Sequence, residues 1–301
     1  MKKLFLISCA LLCIATACNQ KENPSVYKTG KAEIILLAEL QQEVSKDILI
    51  GASEEMINEC LSPTHTCPMA INAFLVKMNK KNYLIDAGLG INLLANLAAA
   101  SVTPAEIDAI FITHMHSDHV WGMLGDSDVV FKNATIYIPK VEYDYWMSDD
   151  EMIAAGEEQA AKGFATARTI IEAYKNQITL IDCKEIDEEM EDIVQGIAAI
   201  AAYGHTPGHS MFMIDKKVLL WGDLAHAMDI QMPYPQVAVT YDVSPEMAIE
   251  SREKVLKHIA DTDIVVAGMH IAYPSLGKIK KSEKTGYLFT AKNAKVYRKG
   301  R

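Results

Sequence analysis

Four metal-binding side chains crowd into six residues in the run Thr113-His114-Met115-His116-Ser117-Asp118-His119. The preceding Ala109-Ile110-Phe111-Ile112 is a short apolar run of the kind that forms a buried strand. His114 therefore falls where that strand ends and the chain turns, so alternate side chains converge on one point. Three imidazoles and a carboxylate placed so closely cost free energy through desolvation and crowding unless a cation organises them. Imidazole and carboxylate suit zinc, iron, manganese or cobalt, and this ligand density suggests two ions rather than one. With nine histidines in 301 residues, an accidentally histidine-rich loop is a poor alternative. The fold must bring a strand end to a metal centre.

Other chemistry-bearing residues stand in the same setting. Tyr203-Gly204-His205-Thr206-Pro207-Gly208-His209-Ser210 is a polar loop between apolar runs, whose glycines and proline make a tight turn able to project His209 inward. Asp223 ends Trp221-Gly222-Asp223 after the apolar run 218–220, and His270 follows the run 264–267. Apolar runs at 72–76 and 83–86 flank a polar turn, and more recur at 134–139, 178–181, 197–202 and 211–214. Helical periodicity appears through Leu93, Leu94 and Leu97, after Thr103-Pro104, and over 246–259 behind Ser244-Pro245. Strands alternating with helices, with each suspected ligand just beyond a strand, imply an α/β layered fold with the site along one sheet edge. Residues 140–176 read as a helical insertion. Tyr145, Trp146, Phe164 and Met152 within it suggest a cover for the core or a wall of a substrate pocket.

The N-terminus has a different logic. Lys2 and Lys3 precede an apolar run over 4–17, a charged start and short apolar stretch typical of an export signal. That run is too short for a transmembrane helix, which needs about 20 apolar residues. Ala15-Thr16-Ala17-Cys18 resembles a bacterial lipobox, so residues 1–17 are expected to be a signal peptide and Cys18 a lipidated first residue. The expected product is an exported lipoprotein, periplasmic or at the cell surface, touching a membrane only through that anchor. Residues 18–30 read as a linker, and 31–301 as one domain. Without residues 1–17 the chain keeps 27 basic and 39 acidic residues, a net charge of about −12. With no basic patch interleaved with aromatics, nucleic acid is excluded as an expected partner and a small molecule is preferred. Cys60 and Cys67 flank a turn-forming segment that could pair them in an oxidising compartment, and Cys183 reads as a buried thiol.

Taken together, HMHSDH at 114–119, GHTPGHS at 204–210, WGD at 221–223 and His270 resemble the metallo-β-lactamase-fold hydrolase superfamily over about residues 70–297. The resemblance implies an αββα sandwich. It further implies that His114, His116 and His209 hold one metal ion, that Asp118, His119 and His270 hold a second, and that Asp223 bridges them, with His205 supporting its loop. Class B β-lactamases lack an aspartate like Asp223, which disfavours antibiotic hydrolysis. Gly222-Asp223-Leu224-Ala225-His226, Tyr234-Pro235-Gln236-Val237 and 270–277 look most like the acyl-homoserine lactonase and methyl parathion hydrolase branch. Well-known lactonases carry a tyrosine three residues after the bridging aspartate, where this chain has His226.

The expected activity is hydrolysis of a lactone or related ester by a hydroxide shared between two divalent ions, zinc first, with iron, manganese or cobalt also suited. Asp118 and Asp223 would balance charge and accept a proton, and His226 would donate a hydrogen bond to the developing oxyanion or leaving group. Phosphotriester or arylester hydrolysis on the same site is the second reading. A metal-holding lipoprotein without catalysis is the third.

Overall fold

The computed structural model describes residues 25–126, 128–292 and the backbone of 295–296. The expected signal peptide and Cys18 lie outside the described residues. Two sheets carry the architecture. The eight-stranded sheet runs in the order Lys295–Val296, Ser25–Lys28, Ala32–Ser45, Thr66–Met78, Lys81–Ile85, Ala109–Phe111, Thr135–Pro139, Ile178–Ile181. The seven-stranded sheet runs Tyr287–Ala291, Leu276–Lys281, Val265–Ala267, Val218–Leu220, Ser210–Ile214, Ile197–Ala201, Asp192–Val194.

Period-two alternation, with both faces apolar, makes the layers. Ile34, Leu36, Phe74, Val76 and Phe111 point between the sheets, meeting Phe212, Ile214, Val218 and Leu220. Phe111 and Phe212 touch edge to face at 5.4 Å across that interface. The alternate residues Ile35, Leu37, Leu75, Leu84 and Ile110 face outward, under Leu93 and Leu97 of helix Leu93–Ala99 and Ile170 and Ile171 of helix Ala165–Tyr174. On the far side Met211, Met213, Leu219 and Val266 pack against Val255, Leu256 and Ile259 of helix Pro245–Ile259. The result is the αββα sandwich.

Pairing direction then places the site. Lys81–Ile85, Ala109–Phe111 and Thr135–Pro139 are mutually parallel, so Asp86 and the loop starting at Thr113 leave one edge together. Val218–Leu220 and Val265–Ala267 are likewise parallel, which brings Asp223 and His270 to a common edge.

Several expectations change. Residues 25–28 are not linker: Ser25–Lys28 is a strand paired with Ala32–Ser45 in the register Val26↔Ile35, and Val26 is buried. The 14-residue strand Ala32–Ser45 escaped a reading by alternation because its register shifts between Ala38 and Leu40, leaving Glu39 in a bulge. Thr103 and Glu106 form a capping box, but on a single 3-10 turn, Pro104–Glu106. The insertion is helical, with Lys140–Met147, Asp149–Ala154 and Ala165–Tyr174. Two of its rings are cover: Trp146 and Phe164 are buried, 4.8 Å apart, and fill the layer over the eight-stranded sheet, while Tyr145 is half-buried. Cys60 and Cys67 are free thiols, with Cys67 pushed up to about 12 by burial. Cys183 is half-buried, 3.1 Å from the Ser210 hydroxyl. Among the described residues no helix is long and apolar enough to cross a membrane.

Candidate metal centre

A four-residue helix, Ser117–Val120, begins inside the histidine motif with His116 at its N-cap in extended conformation. The change from strand to helix folds His114 and His119 inward, where both are buried, and leaves His116 and Asp118 partly exposed at the mouth. From the opposite sheet, Gly222 adopts φ +56, and a Cβ there would stand 2.4 Å from the His209 ring. Glycine is therefore required to turn the chain from Trp221 into Asp223.

Four of the histidines that face the centre have a partner behind them. His119 Nδ1 donates to Asp86 (2.7 Å), and Asp86 accepts from the amide and hydroxyl of Thr113 at 2.8 and 2.7 Å. His205 Nδ1 donates to Asp242 at 2.9 Å. His270 Nδ1 donates to the Ala70 carbonyl at 2.6 Å, and His114 Nδ1 lies 3.1 Å from the Thr113 hydroxyl. Such partners fix ring orientation and tautomer and leave the other nitrogen for a ligand.

Those inward nitrogens converge on Asp223. Its Oδ2 lies 2.9 Å from His270 Nε2, 3.1 Å from His226 Nε2 and 3.2 Å from His205 Nε2. His114 Nε2 and His205 Nε2 both point at His116 Nδ1, at 3.1 and 3.0 Å. His114, His116, His205 and Asp223 form one group of ligand-capable atoms within 4.8 Å of one another, and Asp118, His119 and His270 form another. Asp223 also groups with His226 and His270.

The electrostatics are those of a cation site. Burial works to raise Asp223, but the imidazoles around it, His119 first, hold it well below the usual carboxylate range. Burial opposes charge on His205, yet its hydrogen bonds to Asp223 and Asp242 lift it to about 9. Burial and the neighbouring His205 press His116 and His209 down to about 3. The decisive observation is a pair of orphans. His119 Nε2 and Asp223 Oδ1 are buried 3.2 Å apart, and neither has a hydrogen bond. Two ligand atoms facing the same point with no bond between them fit a shared metal ion. The donor set of imidazole nitrogen and carboxylate oxygen fits divalent metals.

The second loop brings two histidines to the centre. His209 is buried beside the cluster, but its Nδ1 donates to the Ala202 carbonyl at 2.8 Å and its Nε2 accepts the Asp223 amide at 2.8 Å. His209 thus keeps an unprotonated Nε2 beside the cluster, and His205 also faces the centre, with its two ring nitrogens at Asp242 and Asp223. Gly204, at φ +127, turns His205 inward against Asp242. His114, His116, Asp118, His119, Asp223 and His270 are brought together as expected, with His226 buried against Asp223. Residues not found from the sequence are Asp86, Asp242 and Glu142. Asp86 had a signal, as a polar residue ending an apolar run. The other two lie 37 and 64 residues from their histidine-loop partners, His205 and Thr206, and carried none.

A model of the metallo-beta-lactamase superfamily matches residues 68–270. The solved structure of hydrolase AbOPH, of the beta lactamase superfamily, superposes with a TM-score of 0.79 at 25% identity, covering 93% of this chain and all of that one. AidC, a dizinc quorum-quenching lactonase solved in complex with a product, gives 0.79 at 25% identity over 90% of this chain and 98% of its own. Exodeoxyribonuclease WalJ of Streptococcus pneumoniae is 45% identical over 53 residues, 17% of this chain. This chain thus spans about a fifth of the length of the curated relatives it matches.

Proposed function

This chain belongs to the metallo-beta-lactamase superfamily and is a metal-dependent hydrolase; on that premise we propose that it opens a lactone or related ester using two divalent ions, zinc before iron, manganese or cobalt. His114, His116 and His205 would hold one ion, Asp118, His119 and His270 the other, and Asp223 would serve both. The observation that carries the reading is the place of Asp223 within reach of both groups, with Oδ1 an orphan. When bound, the ions supply Lewis acidity and a water that is deprotonated near neutral pH.

The chain's own residues set the rest. Asp223 balances buried positive charge and keeps five imidazoles aimed at one point. Asp118, with its side chain 26% exposed, stands at the mouth as the carboxylate able to exchange a proton with solvent. His226 is pressed down to about 4 by burial and is neutral. Its Nε2–H donates to the Asp223 carboxylate, so its Nδ1, which has no partner, is an acceptor. It thus orients Asp223 first, in place of the oxyanion donor expected from the sequence.

Lactone specificity is supported by the likeness to AidC over nine-tenths of this chain. Arylester or phosphotriester hydrolysis is the second reading, favoured by His226 at the position where well-known lactonases carry tyrosine. A rate screen over lactones, aryl esters, phosphotriesters and β-lactams, with metal content measured on the same sample, separates them. The proposal expects lactones or esters to lead, and phosphotriesters leading would reverse it. We also propose export with lipidation at Cys18. Detergent-phase partitioning that is lost in Cys18→Ser tests that, and a soluble wild-type chain would refute it.

A further inference from the structure

Glu142 is a fully buried carboxylate that no step above uses. It lies on Lys140–Met147, the first helix of the insertion. Its Oε1 accepts the Met115 amide at 2.8 Å and the Trp146 indole N–H at 2.6 Å. Its Oε2 accepts the Thr206 hydroxyl at 2.6 Å and the Gly208 amide at 3.1 Å. Met115 sits between His114 and His116, and Thr206 follows His205. One side chain therefore ties together two ligand loops that come from opposite sheets.

Approach is close enough to fix the spacing. A Cβ on Gly208 would stand 2.0 Å from the Glu142 backbone nitrogen, so the loop rests directly on the helix. Trp146, one turn on, sets its ring edge against His116 at 5.9 Å. Three of the four donors are N–H groups that cannot accept, so only a group with two acceptor oxygens satisfies them all. A glutamine would turn its NH₂ toward at least one of those N–H groups.

We propose that Glu142 is a positioning residue that sets the spacing of His114, His116 and His205, and so governs one metal ion selectively. Asp86 backs His119 at the second ion directly and reaches His114 only through the Thr113 hydroxyl, with contacts that involve neither Glu142 nor the 204–208 loop. This rests on the two-ion reading above. The insertion is then a strut for the metal centre.

The test challenges zinc-loaded protein with graded chelator and resolves the two zinc affinities. Wild type, Glu142→Gln, Asp86→Asn and the double variant are compared, with melting temperature recorded alongside. Glu142→Gln is expected to weaken one ion by about 10–100-fold, the range for losing a group that orients ligands, and to leave the other nearly unchanged. Asp86→Asn is expected to weaken the other ion more, so only the double variant loses both. Thr206→Val keeps the carboxylate and deletes one bond, giving a smaller loss at the same ion if Glu142→Gln does not fold. Equal weakening of both ions, or a lower melting temperature with both affinities intact, overturns the proposal. If Glu142→Gln and Asp86→Asn weaken the same ion, so that the double variant keeps one tight ion, it also falls. A wild type that holds fewer than two ions overturns the two-ion reading, and this proposal with it.

Discussion

The loop after Ala109–Phe111 and the loop before Ser210–Ile214 reach the same carboxylate but are held differently. The first is shaped mainly by its own backbone, with Glu142 holding one amide, that of Met115. Its backbone enters a helix within three residues of His114, and Asp86 from the adjacent parallel strand locks Thr113 and His119. The second has no secondary structure of its own. It depends on Glu142 from the insertion, on Asp242 behind His205, and on His209 bridging Ala202 to Asp223. A local motif thus fixes one half of the centre and long-range packing fixes the other. Substitutions far from the ions should therefore affect the second loop most.

The comparison is removed altogether by Asp223→Asn, which takes the shared charge from both halves. Activity should fall by about a thousandfold or more, the scale of several kcal/mol of lost charge stabilisation. A steady-state assay on folded variant that finds less than a tenfold loss would leave Asp223 without the central role.

His205→Ala and His209→Ala sharpen the contrast within the second loop. His205→Ala should lose one of two ions and most activity. His209→Ala should keep both ions but lose stability, since the Ala202 carbonyl and Asp223 amide are left unpartnered at about 1–3 kcal/mol each. Metal analysis and denaturant melts on both variants decide, and the reverse pattern would restore His209 as the ligand.

His226→Ala removes a support from Asp223 that belongs to neither loop. Metal affinity should drop about 10–100-fold at both ions. Unchanged affinity with a reduced kcat would instead make His226 a direct partner of substrate.

Smallest in its effect on chemistry is the cover over the eight-stranded sheet. Phe164→Ala should cost about 3–5 kcal/mol of stability while relative rates across substrates stay fixed. A change in substrate ranking would bring back the pocket wall.

The sequence made the first half of the site legible because ligand spacing there is set by residues within one turn of each other. The αββα layering was equally readable, since apolar runs such as 72–76 and 218–220 are strands buried on both faces. Choosing between His205 and His209 was beyond local spacing. Both sit in a turn rich in glycine, and their orientations are set by Asp242 and by the backbone at Ala202 and Asp223. The strand Ala32–Ser45 was hidden by its bulge at Glu39, and Glu142 by sequence distance from the loops it joins.

The most direct test of the account is metal reconstitution followed on one sample by both stoichiometry and turnover. Protein stripped by chelator and dialysed is titrated with zinc while lactone hydrolysis is recorded. The account predicts negligible turnover without metal, uptake of two ions per chain, and activity that rises with the second. Full activity with one ion, or turnover that survives metal removal, would contradict it.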